Sequence, residues 1–333
     1  MKQIIYIAIP EKNIIEAWNL NKNGILQLIQ KINTDGQVQP MNIIKNNNFL
    51  YVGIRPNNRI IIYSIKKNGF LELINEKSIP GSPNYISFDS QKKFLFCSSY
   101  HMNCLSILPL DNNYMIQEPI KTIYNIQGCH AAKINQKYNI LIVTALKEDC
   151  LYLYYFNNKG TIKSTEQKCI YTEKNSGPRH IAIHPNQDYI YTVNEINGTI
   201  DIWNIYQNKN IIKIKKIQNI NLFSAKLQDF FWAADIHITS CGRFLYASDR
   251  SSNTINLFHI QSDNTIVFYH YYITEKQPRS FCIDQYNKYL IVTGQKSNTF
   301  TIYSISFYTG ELTKLNTYYT SQGALWICTH LLN

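Results

Sequence analysis

The chain has 333 residues, 45% of them apolar, and carries 33 lysines and arginines against 22 acidic residues, a net charge of +11. That apolar share supports a sizeable core, and with only 13 glycines and 10 prolines no stretch reads as a linker or low-complexity tail, so residues 1–333 are read as one domain. The basic residues are scattered among many Asn, Ile and Tyr, all served by AT-rich codons, so the excess lysine is assigned to compositional drift and nucleic-acid binding is not expected.

Taken in chain order, the sequence alternates two patterns. Tyr6–Trp18 is an apolar strand, a polar turn and a second strand with an aromatic end, which is the mark of a β-hairpin. The segment GQVQPMNI around Gln39 follows, and the hairpin pattern then returns at Tyr51–Tyr63 over the same 13 residues. GSPNYISF (Asn84) precedes Phe96–Leu108, GCHAAKI (His130) precedes Ile142–Tyr154, and GPRHIAI (Arg179) precedes Tyr191–Trp203. WAADIHI (Ala234) precedes Tyr246–Phe258, QPRSFCI (Arg279) precedes Ile291–Tyr303, and QGALWIC (Leu325) closes the series. The aligned positions Gln39, Asn84, His130, Arg179, Ala234, Arg279 and Leu325 are 45, 46, 49, 55, 45 and 46 residues apart. A period near 45 without helical patterning predicts an all-β, seven-bladed β-propeller of four-stranded antiparallel blades. The terminal strand Leu325–Leu331 is expected to pair with Ile4–Ile9 and close the ring. The longest interval holds an extra segment at 206–231, expected to form an enlarged blade edge or a loop.

Ile4–Ile9, which ends at Pro10, is too short for a signal-peptide core, and nothing approaches a membrane span. The eight cysteines are dispersed without a C-x-x-C pair or zinc spacing. They are expected as buried apolar residues of a cytoplasmic protein with no membrane partner.

Repeat positions that serve the fold should look alike in every copy, whereas those that vary while facing the axis can carry function. One such series is Gln39 to Leu325, with His180 and Asp235 just beyond two of its members. The other is the fifth hairpin position: Pro10, Arg55, Tyr100, Leu146, Glu195, Arg250 and Gln295. Together they place His130, Arg179, Glu195, Arg250, Arg55 and Arg279 around one cavity, with Asp235 and Lys296 as further candidates. A lone pair such as Arg179 with Glu195 is more often structural; four arginines converging with one glutamate and one histidine favour a site. Arginine binds carboxylate and phosphate bidentately, so the cavity suits an anionic substrate, and His130 and Glu195 are the groups suited to acid–base work. Cys129 is set aside as a nucleophile, because strand neighbours point to opposite faces.

The stretches GQVQP, GSPNYIS, GCHAAKI, GPRHIAIHPNQDYIYTVNEIN, WAADIHIT, ASDR, TEKQPR and QGALWI are similar to the propeller-type 6-phosphogluconolactonases of enteric bacteria. These sit within a wider lactonase family that includes carboxymuconate-cyclising enzymes. The resemblance runs end to end and implies metal-free, cofactor-free hydrolysis of 6-phospho-D-glucono-1,5-lactone, in the oxidative pentose phosphate pathway. It also implies a catalytic set of His130, Arg179, Glu195 and Arg250, with either Glu195 or His130 as the base. Arg55 and Arg279, with Lys296, are expected to hold the phosphate of a small sugar lactone, in a monomer. Two alternatives stand beside this reading: an enzyme for a carboxylate-bearing lactone or muconate, and a non-catalytic interaction propeller. The repeats lack the G-H…W-D signature of the latter.

Overall fold

Alternating β-branched and aromatic residues give each strand two faces suited to packing between sheets. Seven four-stranded antiparallel sheets result in the computed structural model, which describes residues 2–209, 211–223 and 230–332. Their innermost strands are Gln37–Ile44, Tyr85–Phe88, Cys129–Asn135, Pro178–Ile183, Ala233–Ile238, Ser280–Ile283 and Trp326–Leu332. Each contacts the next around the ring. The ring closes within blade 1, where Trp326–Leu332 pairs with Lys2–Ile9 from Lys2↔Leu332 to Ala8↔Trp326. Leu325 lies one residue outside that strand, and its N–H reaches Ala8 O at 3.0 Å.

The extra segment of blade 5 is an enlarged edge. Thr199–Asn208 and Ile211–Asn221 pair over their full length, and Lys216 rests over Trp203 and reaches Asp201 at 3.0 Å. Residues 224–229 of that segment lie outside the described residues. No helix among those residues is long and apolar enough to cross a membrane.

The core is divided rather than central. Seven apolar clusters each join one pair of neighbouring blades, as Tyr6, Val52 and Ile61 do between blades 1 and 2. Where the first hairpin position is tyrosine, its buried hydroxyl also ties the blades together. Tyr6 donates to Gly69 O at 2.8 Å, Tyr51 to Tyr114 O at 2.6 Å, and Tyr191 to Asn264 O at 2.9 Å. Each acceptor belongs to an outer turn of the next blade. Gly69 holds φ +90° there, a conformation that side chains disfavour.

Candidate functional site

The axial layer owes its shape to bulges. In a regular strand, consecutive side chains leave opposite faces. Four inner strands carry one extra residue at the varied position, between Val38 and Met41, Cys129 and Ala132, Pro178 and His180, and Ala233 and Ile236. A bulge bends its strand and re-aims the side chain there. Hydroxyls of the neighbouring strand take up freed N–H groups: Thr144 Oγ1 accepts from Ala131 at 2.9 Å and Ser248 Oγ from Asp235 at 3.0 Å. The bulged residues open on the same mouth of the channel as the hairpin turns that carry Arg55, Glu195 and Arg250.

At that mouth Glu195 joins two blades. Its Oε2 lies 2.8 Å from Arg179 Nε and 3.2 Å from Arg250 Nη2, while Trp232 Nε1 donates to Oε1 at 3.1 Å. Arg250 stacks 4.0 Å over the Trp232 ring and donates to Trp232 O at 3.0 Å and Ala233 O at 2.9 Å. Arg179 also donates to Ala234 O. The two arginine side chains are 1% and 2% exposed and Glu195 is 20% exposed, so the carboxylate faces the mouth while Arg179 lies behind it. Burial pushes the Glu195 pKa up, but Arg179, Arg250, the Trp232 N–H and Arg279 outweigh it and hold the group below its ordinary value.

Arg55 and Arg279 are half-buried. Arg55 donates to Pro83 O and, at 3.1 Å, to Asn84 Oδ1. Arg279 makes no hydrogen bond or ion pair with a described residue. Burial, then Arg179, pulls Arg279 down to about 10; burial does the same to Arg55, and burial with Arg179 takes Arg250 to about 9. These three remain cations at neutral pH, and with Arg179 they surround one carboxylate among the described residues. The mouth is therefore built for an anion. His130 sits at its base, 4% exposed, with Nδ1 unpartnered and the Tyr100 ring 6.0 Å away. Burial, then Arg179, His180, Arg279 and Arg250, keeps its pKa well below the imidazole value.

Tyr85, His180 and Trp326 converge across the channel with ring separations of 5.2, 5.8 and 5.9 Å and form a floor. Asp235, expected among the substrate-binding residues, belongs to this floor and not to the arginine cluster. Its Oδ1 lies 2.7 Å from His180 Nδ1, and its Oδ2 takes Ser280 Oγ at 3.2 Å and lies 3.2 Å from His237 Nε2. Both oxygens are thus used within the protein. Lys296 is exposed and lines a cleft of about 370 Å³ beside Trp232, Arg250 and Lys276. Cys129 is fully buried between blades, which pushes its thiol up to about 12.

Sequence reasoning passed over Trp232, Tyr85 and Trp326, and noted His180 beyond Arg179 without placing it in the cavity. Tyr85, His180 and Trp326 all follow directly after aligned positions, so moving the series on by one residue in every repeat exposes the floor. Among the described residues, no group of three or more His, Cys, Asp and Glu side chains converges to hold a metal ion.

Comparison with known proteins gives a consistent picture. Residues 4–329 match the family described as "Lactonase, 7-bladed beta-propeller". A protein of Buchnera aphidicola from Acyrthosiphon pisum (strain APS), named 6-phosphogluconolactonase, is 60% identical over 333 residues and the alignment covers 100% of both chains. One of the same name from Erwinia tasmaniensis is 39% identical over 334 residues, again covering 100% of both. Among solved structures, the periplasmic gluconolactonase PpgL of Pseudomonas aeruginosa superposes with a TM-score of 0.91 over 100% of each chain at 15% identity, a likeness of fold.

Proposed function

We propose that this chain, which belongs to the seven-bladed β-propeller lactonase family, hydrolyses 6-phospho-D-glucono-1,5-lactone to 6-phospho-D-gluconate. The observation that carries the reading is the convergence of four arginines from blades 2, 5, 6 and 7 on a mouth with one carboxylate and one neutral imidazole. A phosphorylated lactone needs this combination: fixed cations for the phosphate, a base for water, and a donor for the oxyanion.

Arg55 and Arg279 are the phosphate clamp, because they are half-buried and Arg279 is paired with no other described residue. Arg250 faces the carbonyl oxygen, on which charge develops as water attacks. Fixed donors at such a position are typically worth about 3–4 kcal/mol. Glu195 keeps Arg250 and Arg179 in place and limits their mutual repulsion. His130 is the base. It is uncharged in the empty site, and the dianionic phosphate counters the arginines that depress its proton affinity, so substrate binding strengthens it. His130 takes one proton from water as the new C–O bond forms. It returns that proton to the ring oxygen as the lactone C–O bond breaks, and the new carboxylic acid loses its proton to solvent.

The test is the rate of opening of freshly generated 6-phosphogluconolactone against unphosphorylated glucono-1,5-lactone, with spontaneous hydrolysis subtracted and with chelator present or absent. The reading expects chelator-resistant acceleration and a kcat/KM at least about 100-fold higher for the phosphorylated lactone, the loss of two charged hydrogen bonds of about 1.5 kcal/mol each. Equal kcat/KM for the two lactones, or no acceleration by folded protein, would overturn it.

A further inference from the structure

Two buried ring nitrogens at the base of the mouth have no hydrogen-bond partner, His130 Nδ1 and His180 Nε2. Their rings stand 5.1 Å apart at 62°. The other nitrogen of His180, Nδ1, lies 2.7 Å from Asp235 Oδ1. An ionised carboxylate can only accept, so neutral His180 carries its proton on Nδ1 and leaves Nε2 as a bare lone pair. Asp235 cannot turn away. Its Oδ2 accepts from Ser280 Oγ at 3.2 Å and from the Phe281 N–H at 3.4 Å, and its own N–H is held by Ser248 at 3.0 Å. A buried acceptor fixed this firmly and left unpaired is costly, and the nearest polar ring is that of His130, its centroid 5.1 Å from that of His180.

We infer that Asp235 and His180 form a positioning relay for His130. Asp235 sets the His180 tautomer, and His180 Nε2 accepts the Nδ1–H of His130, directly or through one water. His130 then keeps its Nε2 lone pair for the attacking water. The inference rests on the reading of His130 as the base. In the reaction the relay moves no net charge: the water proton goes to His130 Nε2 and on to the ring oxygen, while the Nδ1 proton stays between the two imidazoles.

The surrounding charges explain why such a relay is needed. Arg179, Arg250 and Arg279 bear on His130 from blades 5, 6 and 7, and Arg179 and Lys133 bear on His180. Burial and these cations keep both rings neutral, His180 down to about 3. An imidazolium forming at His130 would meet three arginines, and an acceptor at Nδ1 backed by Asp235 offsets that repulsion. A merely structural His180 would instead only fill the floor between Tyr85 and Trp326.

The test separates these roles. His180→Phe keeps a ring in the floor and removes both nitrogens. The relay predicts that kcat falls about 10- to 100-fold, as for other groups that orient a reacting residue, with KM unchanged and the acid limb of the kcat profile displaced. His180→Gln, whose amide oxygen offers an acceptor, should recover part of the rate. The double variant His130→Ala/His180→Phe should be no slower than His130→Ala alone, because residues acting as a unit are not additive. Additive losses in the double variant, or an unchanged kcat in His180→Phe, would overturn the relay. Long-range ¹⁵N–¹H spectra of the wild-type rings decide the point without any variant. Protons on Nδ1 of both His180 and His130 are expected, and a proton on His180 Nε2 rules the relay out. Should wild-type protein fold yet leave the phosphorylated lactone untouched, the functional reading fails and the spectra alone judge the relay.

Discussion

The blade interfaces and the axial layer are made from the same strands but follow opposite rules. At the interfaces each repeat supplies the same kind of residue, with apolar side chains in seven separate clusters and tyrosine hydroxyls reaching the next blade. Around the axis the repeats differ: arginine, glutamate, histidine, asparagine and alanine stand at equivalent positions. The contrast teaches that the ring itself needs no particular residue at the axis. Seven two-blade interfaces hold it closed, so the inner strands are free to bulge and to carry buried charges that a single central core would exclude.

The comparison breaks most sharply if an axial change unfolds the protein or an interface change stops the chemistry. His130→Ala should lower kcat about 10²- to 10⁴-fold, the usual range for a general base, with the unfolding midpoint nearly unchanged. Steady-state kinetics beside a thermal melt checks both halves. Conversely, Phe258 is fully buried between blades 5 and 6, and Phe258→Ala should cost about 3–5 kcal/mol of stability. The kcat/KM of the folded protein should stay at the wild-type value, as urea unfolding with assays well below the transition would show.

Arg279→Ala sharpens the contrast within the axial layer. As a phosphate clamp, its loss should raise KM about 10- to 100-fold, since a hydrogen bond to a charged group is worth about 1.5–3 kcal/mol, and should leave kcat nearly intact. A fall in kcat alone would move Arg279 from the clamp to the reacting carbon.

How far the sequence reached follows the same division. The blades were legible because one hairpin pattern returns in register, so an error in any copy is corrected by the others. The arginines, Glu195 and His130 were legible as departures from that pattern. The floor was legible only in part: His180 and Asp235 stand just beyond aligned positions, but strict alternation along a strand gives no reason to join His180 to Arg179. That rule holds for Cys129, which packs between blades. It fails at the bulge between Pro178 and His180, where Arg179 and His180, adjacent in sequence, both serve the axis. Asp235 is one step beyond the bulged Ala234, and its carboxylate answers His180 and Ser280 rather than the arginines. Trp232 precedes its strand, and it stands where the other repeats have Gly128, Gly177 or Gln277, a position the reading did not compare.

Buried histidines make a pH-dependent version of the comparison. Burial holds His130 well below its ordinary value, His180 near 3 and His330 near 4. The unfolded chain takes up protons at these rings from about pH 6.5 downward while the folded chain does not. The unfolded state therefore binds more protons, and stability falls as pH falls, by up to about 1.4 kcal/mol per pH unit for each ring. Depressed Glu195 and Asp235 add a further loss in the same direction, but only below the carboxylate range near pH 4. Urea unfolding between pH 6.5 and 4.5 isolates the histidines, and His180→Phe should flatten the slope there by about one ring's share. An unchanged slope would mean that His180 already titrates normally in the folded protein.

The smallest expected effect tests the interface half of the contrast. Tyr191 is fully buried, and its hydroxyl donates to Asn264 O in the next blade at 2.9 Å. Tyr191→Phe keeps the ring and its packing and removes only that hydrogen bond, so it should cost about 1 kcal/mol. Its effect on kcat/KM should be nil, because the hydroxyl lies at the outer turns and far from the arginine-lined mouth. If the tie between blades instead sets the spacing of the inner strands, the same variant would raise KM by loosening the clamp formed by Arg55 and Arg279. A one-atom change read by urea unfolding and by KM together therefore decides whether the interfaces only hold the ring or also tune the distances across it.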